Sequence, residues 1–309
     1  MNILITGGCG FIGSKLSNYL AKDHNISVLD NCWFGNHLNN KKINLLKEDI
    51  RNLDNISFDK FDILVHLANI ANDPAVELDE ALSWEVNVLS SKFLMEKAIK
   101  SKLKKVIYAS SGSVYGLKDE EKVTEDLELV PLSAYNKTKM ISERVLLSYS
   151  DKISTYIIRP ATVCGISPRM RLDLSVNLLT FSALKDNKIK VFGGDQIRPN
   201  IHIDDMVRVY DFFIKNNPPN GIYNAGFENV SIMEIAKYIS SKTNANLDVS
   251  ISNDPRSYRL DSSKLIKLGY KPNKTFRDAV NELILTYNEG KLTDSESAHS
   301  ISWLKKIVK

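Results

Sequence analysis

The chain has 309 residues, of which 43% are hydrophobic and 25% charged, a balance that suits one large or two modest globular domains with a substantial core. Its 41 basic and 37 acidic residues are scattered rather than clustered, so the net charge of +4 points to no nucleic-acid or membrane partner. The three cysteines, Cys9, Cys32 and Cys164, have no paired spacing, which suggests neither a disulfide framework nor a zinc site. With no signal-like leader and no apolar run long enough for a bilayer, a cytoplasmic protein is expected.

The first element is an apolar run ending in Thr6, followed by Gly7, Gly10 and Gly13 and then by Phe11, Ile12, Leu16 and Leu20 at helical spacing. Strand, tight turn and helix in this order make a pyrophosphate cradle. Gly7 permits the turn, Gly10 lets phosphates approach bare backbone, Gly13 lets helix and strand pack closely, and the helix N-terminus attracts the anion. A second strand, Ile26 to Leu29, ends in Asp30, where a carboxylate would accept both hydroxyls of an adenosine ribose and repel a 2′-phosphate. NAD is therefore expected, rather than NADP.

Strands are predicted at Ile43–Leu46, Phe61–Ala68 and Lys105–Ala109, with a long helix from Leu78 to Ile99 on which Asn87 faces the strand ends. His66, a lone histidine at a strand end, is expected to be buried and without chemistry, while small Ala68 leaves room for a nicotinamide ribose. The alternation implies an α/β fold with a doubly wound parallel sheet (Rossmann) and its crevice at the carboxyl ends of the strands.

Tyr135 and Lys139 lie one turn apart on a helix, and Ser111 ends the fifth strand. A nearby ammonium and the positive nicotinamide ring both favour the phenolate of Tyr135, which could then take a hydroxyl proton as hydride leaves the same carbon, with Ser111 aligning the oxygen.

With these motifs in place the sequence resembles the extended short-chain dehydrogenase/reductase family of nucleotide-sugar epimerases and dehydratases. The resemblance rests on residues 6–13, Asp30-Asn31, Asp49-Ile50, His66-Leu67-Ala68, Asn87, Ser110-Ser111, Tyr135 with Lys139, and Arg159-Pro160 through Val163. It implies Tyr135 as the base, Lys139 also on the nicotinamide ribose, Ser111 on the sugar hydroxyl and Asp49-Ile50 beside the adenine. By the same resemblance Asn31, Leu67, Ala68, Asn87, Pro160 and Val163 line the cofactor. Ser111-Gly112-Ser113 stands where the family's 4,6-dehydratases carry Thr-Asp-Glu, which disfavours water elimination and leaves oxidation at C4, by a 4-epimerase or 4-dehydrogenase.

Beyond Gly165 the alternation weakens, and a helical run from Leu172 to Leu184 opens a smaller substrate-binding part. By resemblance Asn177, Arg198 and Arg256 touch the diphosphate and Val191 borders the nucleotide base, while Asn72 lies near the sugar. Arg169 and Arg171 form a further basic loop. Gly221–Gly226 reads as a strand of the first sheet, so the parts interleave: residues 1–166 with about 200–227 for NAD, and 167–199 with 228–309 for the nucleotide sugar. The tail from Ser295 to Lys309 reads as a helix without chemistry. Residues 69–74 and 167–171 resemble enzymes of surface-polysaccharide sugar pathways, some of them acting on GDP-linked hexoses or heptoses. A homodimer or higher homo-oligomer, pairing through the helices around 78–99 and 133–149, is expected by analogy. The rival reading is a non-catalytic NAD sensor of the same fold, for which Tyr135 and Lys139 would be superfluous.

Overall fold

Strand β1 (Asn2–Thr6) is buried over four of its five residues, as a strand covered by helices on both faces must be. It leads through the glycine turn into α1 (Phe11–Leu20), and β2 (Asn25–Leu29) returns parallel to it. Then come β3 (Asn44–Leu46), β4 (Ile63–His66), α2 (Asp73–Val76), α3 (Glu80–Trp84) and α4 (Ser90–Ile99). The core sheet continues with β5 (Lys105–Ala109), α5 (Ala134–Leu147) and β6 (Ser154–Pro160), followed by β7 (Thr162–Cys164). The second half comprises α6 (Ser175–Asp186), β8 (Lys188–Phe192), β9 (Ile197–His202), α7 (Ile203–Lys215), β10 (Gly221–Ala225) and β11 (Glu228–Ser231). It ends with α8 (Ile232–Thr243), β12 (Asn246–Ser250), α9 (Ser263–Lys267), α10 (Phe276–Asn288) and α11 (Ser300–Ile307). This computed structural model describes residues 1–251 and 257–308.

The main sheet has seven strands in the order β10-β6-β5-β4-β1-β2-β3, and every pairing in it is parallel. Strand order reverses between β1 and β4, so the carboxyl ends of these two strands open the crevice where ligands bind in doubly wound folds. Successive residues of β1 feed opposite cores: Ile3 and Ile5 pack with α1 and α7, and Leu4 joins Leu64, Leu94 and Leu146 on the other face. Strand β10 returns from the second half to pair with β6, which makes the two halves interleave. A smaller core joins α6, β8, α8 and α10. Among the described residues no helix is long and apolar enough to cross a membrane.

Two helices depart from their sequence periodicity. The helix expected from Leu78 begins at Glu80, capped by the Asp79 carboxylate on the Leu82 N–H, and widens into a π-type turn at Glu85–Leu89 before α4. The helix expected from Leu172 begins at Ser175; ahead of it the chain bends across residues 172–174, with the Leu172 N–H bonded to the Ala298 carbonyl at 2.9 Å and Leu174 in the extended region as N-cap.

Candidate active site

The glycine turn is tight on the protein side and open on the other. A Cβ on Gly7 would stand 2.6 Å from the Ala68 nitrogen, and one on Gly13 would stand 2.1 Å from the Gly7 carbonyl oxygen. On Gly10 the nearest protein atom would be 3.3 Å away, and the remaining space belongs to the cavity. Gly10 is the N-cap of α1 and no side chain caps that helix, so its first N–H groups are left for an anion. Gly13→Ala is expected to push α1 off β1, costing about 1–3 kcal/mol of overpacking and abolishing NAD binding; thermal melting with and without NAD checks it.

Asp30 follows β2, and its two oxygens accept the Cys9 N–H at 2.9 Å and the Cys32 N–H at 2.7 Å. Burial raises its pKa, while these two bonds oppose the rise. Lone pairs remain for ribose hydroxyls. Asp30, Asn31, Asp49, Ile50, Leu67 and Ala68 line one cavity of about 130 Å³. It adjoins a larger one of about 350 Å³, with Gly7, Gly10, Leu67 and Asn69 in both walls.

The larger cavity brings together Phe11, Ile12, Gly13, Asn72, Ser111, Tyr135, Lys139, Pro160 and Val163. Ser133 caps α5 by accepting the Asn136 N–H, and its hydroxyl donates to Asp73 at the start of α2. That cap sets Tyr135, Lys139 and Glu143 on one helix face, one turn apart. Ser111 shares a 2.8 Å bond with the Ser113 hydroxyl, which in turn donates to Asn136 at 2.6 Å.

Electrostatics at this site differ from the sequence expectation. Burial pushes the Tyr135 phenol up to about 12; the Ser111 hydrogen bond and the Arg171 charge pull against it, and Asp73 adds to it. Lys139 stands close by, 5.9 Å from Nζ to the Tyr135 ring centre. Its Nζ donates to the Ala109 carbonyl at 2.7 Å, and burial lowers it to about 7, with Glu143 opposing. The ammonium that was to acidify the phenol is itself destabilised. Its folded value lies below the ordinary 10.5, so between about pH 7 and 10.5 the unfolded chain binds the extra proton and stability from this group rises with pH. Lys139→Met is expected to erase that rise, read as the difference between variant and wild-type urea midpoints across the window.

Several expected site residues lie elsewhere. Asn87 is fully buried in the π-type turn and bonds Ile70 N, Ile70 O and Thr138 Oγ1, so it shapes the 69–72 loop instead of facing the cavity. Asn177 is likewise buried, tying Gly165 and Arg171 backbone together. Val191 is a core residue of the second half, because Ile189 and Val191 form the inward face of β8. Arg198 on β9 does not line either cavity, and its guanidinium donates to the Ile197 carbonyl at 3.2 Å. Arg256 lies outside the described residues. His66 is buried between Thr6 Oγ1 at 2.8 Å and Ser91 Oγ at 3.0 Å, and burial pushes it down to about 3, as a neutral structural imidazole requires.

Other residues take their places. Arg169 and Arg171 line the larger cavity, as do Trp33, Phe34, Ser300 and Leu304. The Arg169 guanidinium lies 4.1 Å from the Phe34 ring centre and donates to Ser297 O and Ser300 Oγ, while Trp303 Nε1 donates to Trp33 O at 2.6 Å. The tail helix, which carried no chemistry in sequence, thus forms part of the cavity wall. Arg169 Nε and Asn69 Nδ2 are buried donors without protein partners among the described residues. Together with the open glycine cradle and the uncapped helix, they fit a dinucleotide and an oxygen-rich ligand.

Comparison with known proteins agrees. A dTDP-D-glucose 4,6-dehydratase of Dictyostelium discoideum is 30% identical over 270 residues, covering 77% of this chain and 61% of that longer protein. A UDP-glucose 4-epimerase of Lactobacillus helveticus is 25% identical over 324 residues, 93% of this chain and 96% of its own. The UDP-glucuronic acid 4-epimerase of Bacillus cereus, solved with UDP-glucuronic acid and NAD, superposes with a TM-score of 0.82 at 28% identity, over 93% of this chain and all of that one. Residues 3–226 match the NAD dependent epimerase/dehydratase family, and with its glycine cradle, Rossmann sheet and Tyr135–Lys139 helix the chain belongs to that family, the extended short-chain dehydrogenases, whose cofactor is NAD.

Proposed function

We propose that the chain oxidises C4 of a nucleotide-diphosphate sugar and, as a 4-epimerase, returns the hydride to the opposite face, or, as a 4-dehydrogenase, releases the ketone. The observation that carries this reading is that Ser111, Tyr135 and Lys139 line one cavity with the Gly7–Gly13 turn. NAD, when bound there, accepts the hydride and can give it back. Tyr135 takes the C4 hydroxyl proton, Ser111 holds that oxygen in line, and Lys139 holds the ribose and adds positive charge beside the phenol. Asp30 accepts the adenosine ribose hydroxyls, Asp49 and Ile50 flank the adenine, and the diphosphate is received by Arg169 Nε and by the charge of Arg171, whose Nε and one terminal nitrogen are held by Asp173 at 2.9 and 3.0 Å. The turn from Ser111 to Ser113 offers no carboxylate for water elimination, and Asp73, the one acid among the described residues of that cavity wall, accepts the Ser133 hydroxyl.

The division into residues 1–166 with about 200–227 for NAD, and 167–199 with 228–309 for the sugar nucleotide, belongs to the same proposal, as does a cytoplasmic site in surface-polysaccharide synthesis. So does a homodimer: Leu89 and Phe93, 48% and 50% exposed beside and on α4, support pairing through that helix.

The test is a panel of UDP- and GDP-linked hexoses, uronates and heptoses incubated with enzyme and NAD, with products read by NMR and NADH by absorbance. A C4 epimer without net NADH marks the epimerase, and a ketone with stoichiometric NADH marks the dehydrogenase. Tight NAD binding with no turnover across the panel would reject both. Asp30→Asn is expected to weaken NAD about 10–100-fold, the loss of charged hydrogen bonds, and to narrow the preference over NADP; equilibrium titration of both dinucleotides checks it.

A further inference from the structure

The fold brings together two thiols that no sequence spacing pairs. Cys9 lies in the glycine turn after β1 and Cys32 in the loop after β2, and their sulfurs are 3.8 Å apart. Asp30 stands beside both, bonded to each residue's N–H, and one carboxylate oxygen and the two sulfurs all lie within 4.8 Å of one another. Two sulfur ligands on a tetrahedral zinc ion, each ~2.3 Å from the metal, sit about 3.8 Å apart. The thiols already hold that separation.

A second cluster, His202, Asp204 and Glu282, makes the contrast. Its carboxylates are occupied by cations of the chain itself, with Lys15 at 2.5 Å and Lys274 at 2.8 Å from Asp204 and Lys274 also on Glu282. Among the described residues no ion pair reaches Asp30, so a cation there would meet no resident competitor.

We propose that Cys9, Asp30 and Cys32 form a dithiolate–carboxylate site for a thiophilic divalent cation, zinc being the type, and that this cation and NAD exclude each other. On ligation each thiol releases its proton and donates a sulfur lone pair, and no electron changes hands. Soft thiolates set the preference for zinc-like ions over magnesium or calcium. The exclusion rests on the reading of Asp30 as the ribose acceptor: a carboxylate oxygen bound to metal is withdrawn from the ribose hydroxyls. The site would hold the enzyme in a cofactor-free state when thiophilic metal is abundant, and bound NAD would protect it.

The experiment is a titration of the full chain with Co²⁺ under a phosphine reductant. One equivalent should raise a thiolate-to-cobalt charge-transfer band that is lost in Cys32→Ser and in Cys9→Ala and retained in Cys164→Ser. NAD at about ten times its own Kd should lower the apparent cobalt affinity about tenfold. Absence of the band in the wild-type chain, or its survival in both Cys32→Ser and Cys9→Ala, overturns the site. A thiol-dependent band that NAD leaves unmoved keeps the site and overturns the exclusion, and with it the ribose role of Asp30.

Discussion

Tyr135→Phe is expected to lower kcat by about 10²–10⁴-fold, the range of a lost general base, with little change in melting temperature. The substitution removes one oxygen and leaves the ring, which packs against the core shared by α4, α5 and β5. The protein's own groups hold this phenol at about 12, so in isolation it is a poor base at neutral pH. Proton transfer needs positive charge in the cavity: Arg171 already lowers the phenol, and Lys139, near 7, gains charge as pH falls. The wild-type kcat profile of the NAD-loaded enzyme should therefore show a limb well below the ~10 of a free phenol. That limb should be absent from the residual activity of Tyr135→Phe. A variant that keeps near-normal turnover, or a wild-type limb at or above the free-phenol value, would remove Tyr135 from its role.

What sequence reveals about this site follows the range of the contacts that build it. The glycine turn, Asp30 at its strand end and the Tyr135–Lys139 pair are local patterns, set by one strand, one turn or one helix face, and each falls on the cavity wall. Asn87 and Asn177 are positioned by partners 17 and 12 residues away, and their amides close loops that periodicity cannot show. The Trp303 bond to Trp33 spans 270 residues, and the Arg169–Ser300 bond spans 131; a loop and a tail helix become one wall only in three dimensions. The 3.8 Å approach of Cys9 to Cys32 is likewise tertiary. Glu143 lies one turn beyond Lys139 on the same face, but a lone helical glutamate reads as solvent-exposed until its buried partner is known.

That partner makes Glu143 the second position where a single change should matter greatly. Arg159 donates to Glu143 through Nε at 2.9 Å and through its terminal nitrogen at 2.7 Å, and both side chains are 2% exposed. Ser110 donates its hydroxyl to the same carboxylate. The other arm of Arg159 donates at 2.7 Å to Tyr115, which donates at 2.8 Å to Asn224, so one network ties α5, the end of β5, β6, the 112–115 turn and β10. Glu143→Ala leaves a guanidinium buried without its counter-charge, which should cost about 3–5 kcal/mol, or roughly 10 °C in Tm for a chain of this size. Replacing both partners, as Glu143→Leu with Arg159→Met, removes the unpaired charge and should restore most of that stability, because two well-packed apolar groups avoid the desolvation penalty. Activity should not return with it. Lys139 loses the one charge that raises its pKa, and Ser110, adjacent to Ser111, loses its acceptor. If the double variant recovers both stability and turnover, Glu143 serves the fold alone; if Glu143→Ala melts within about 1 kcal/mol of wild type, the pair does not hold the sheet end in place.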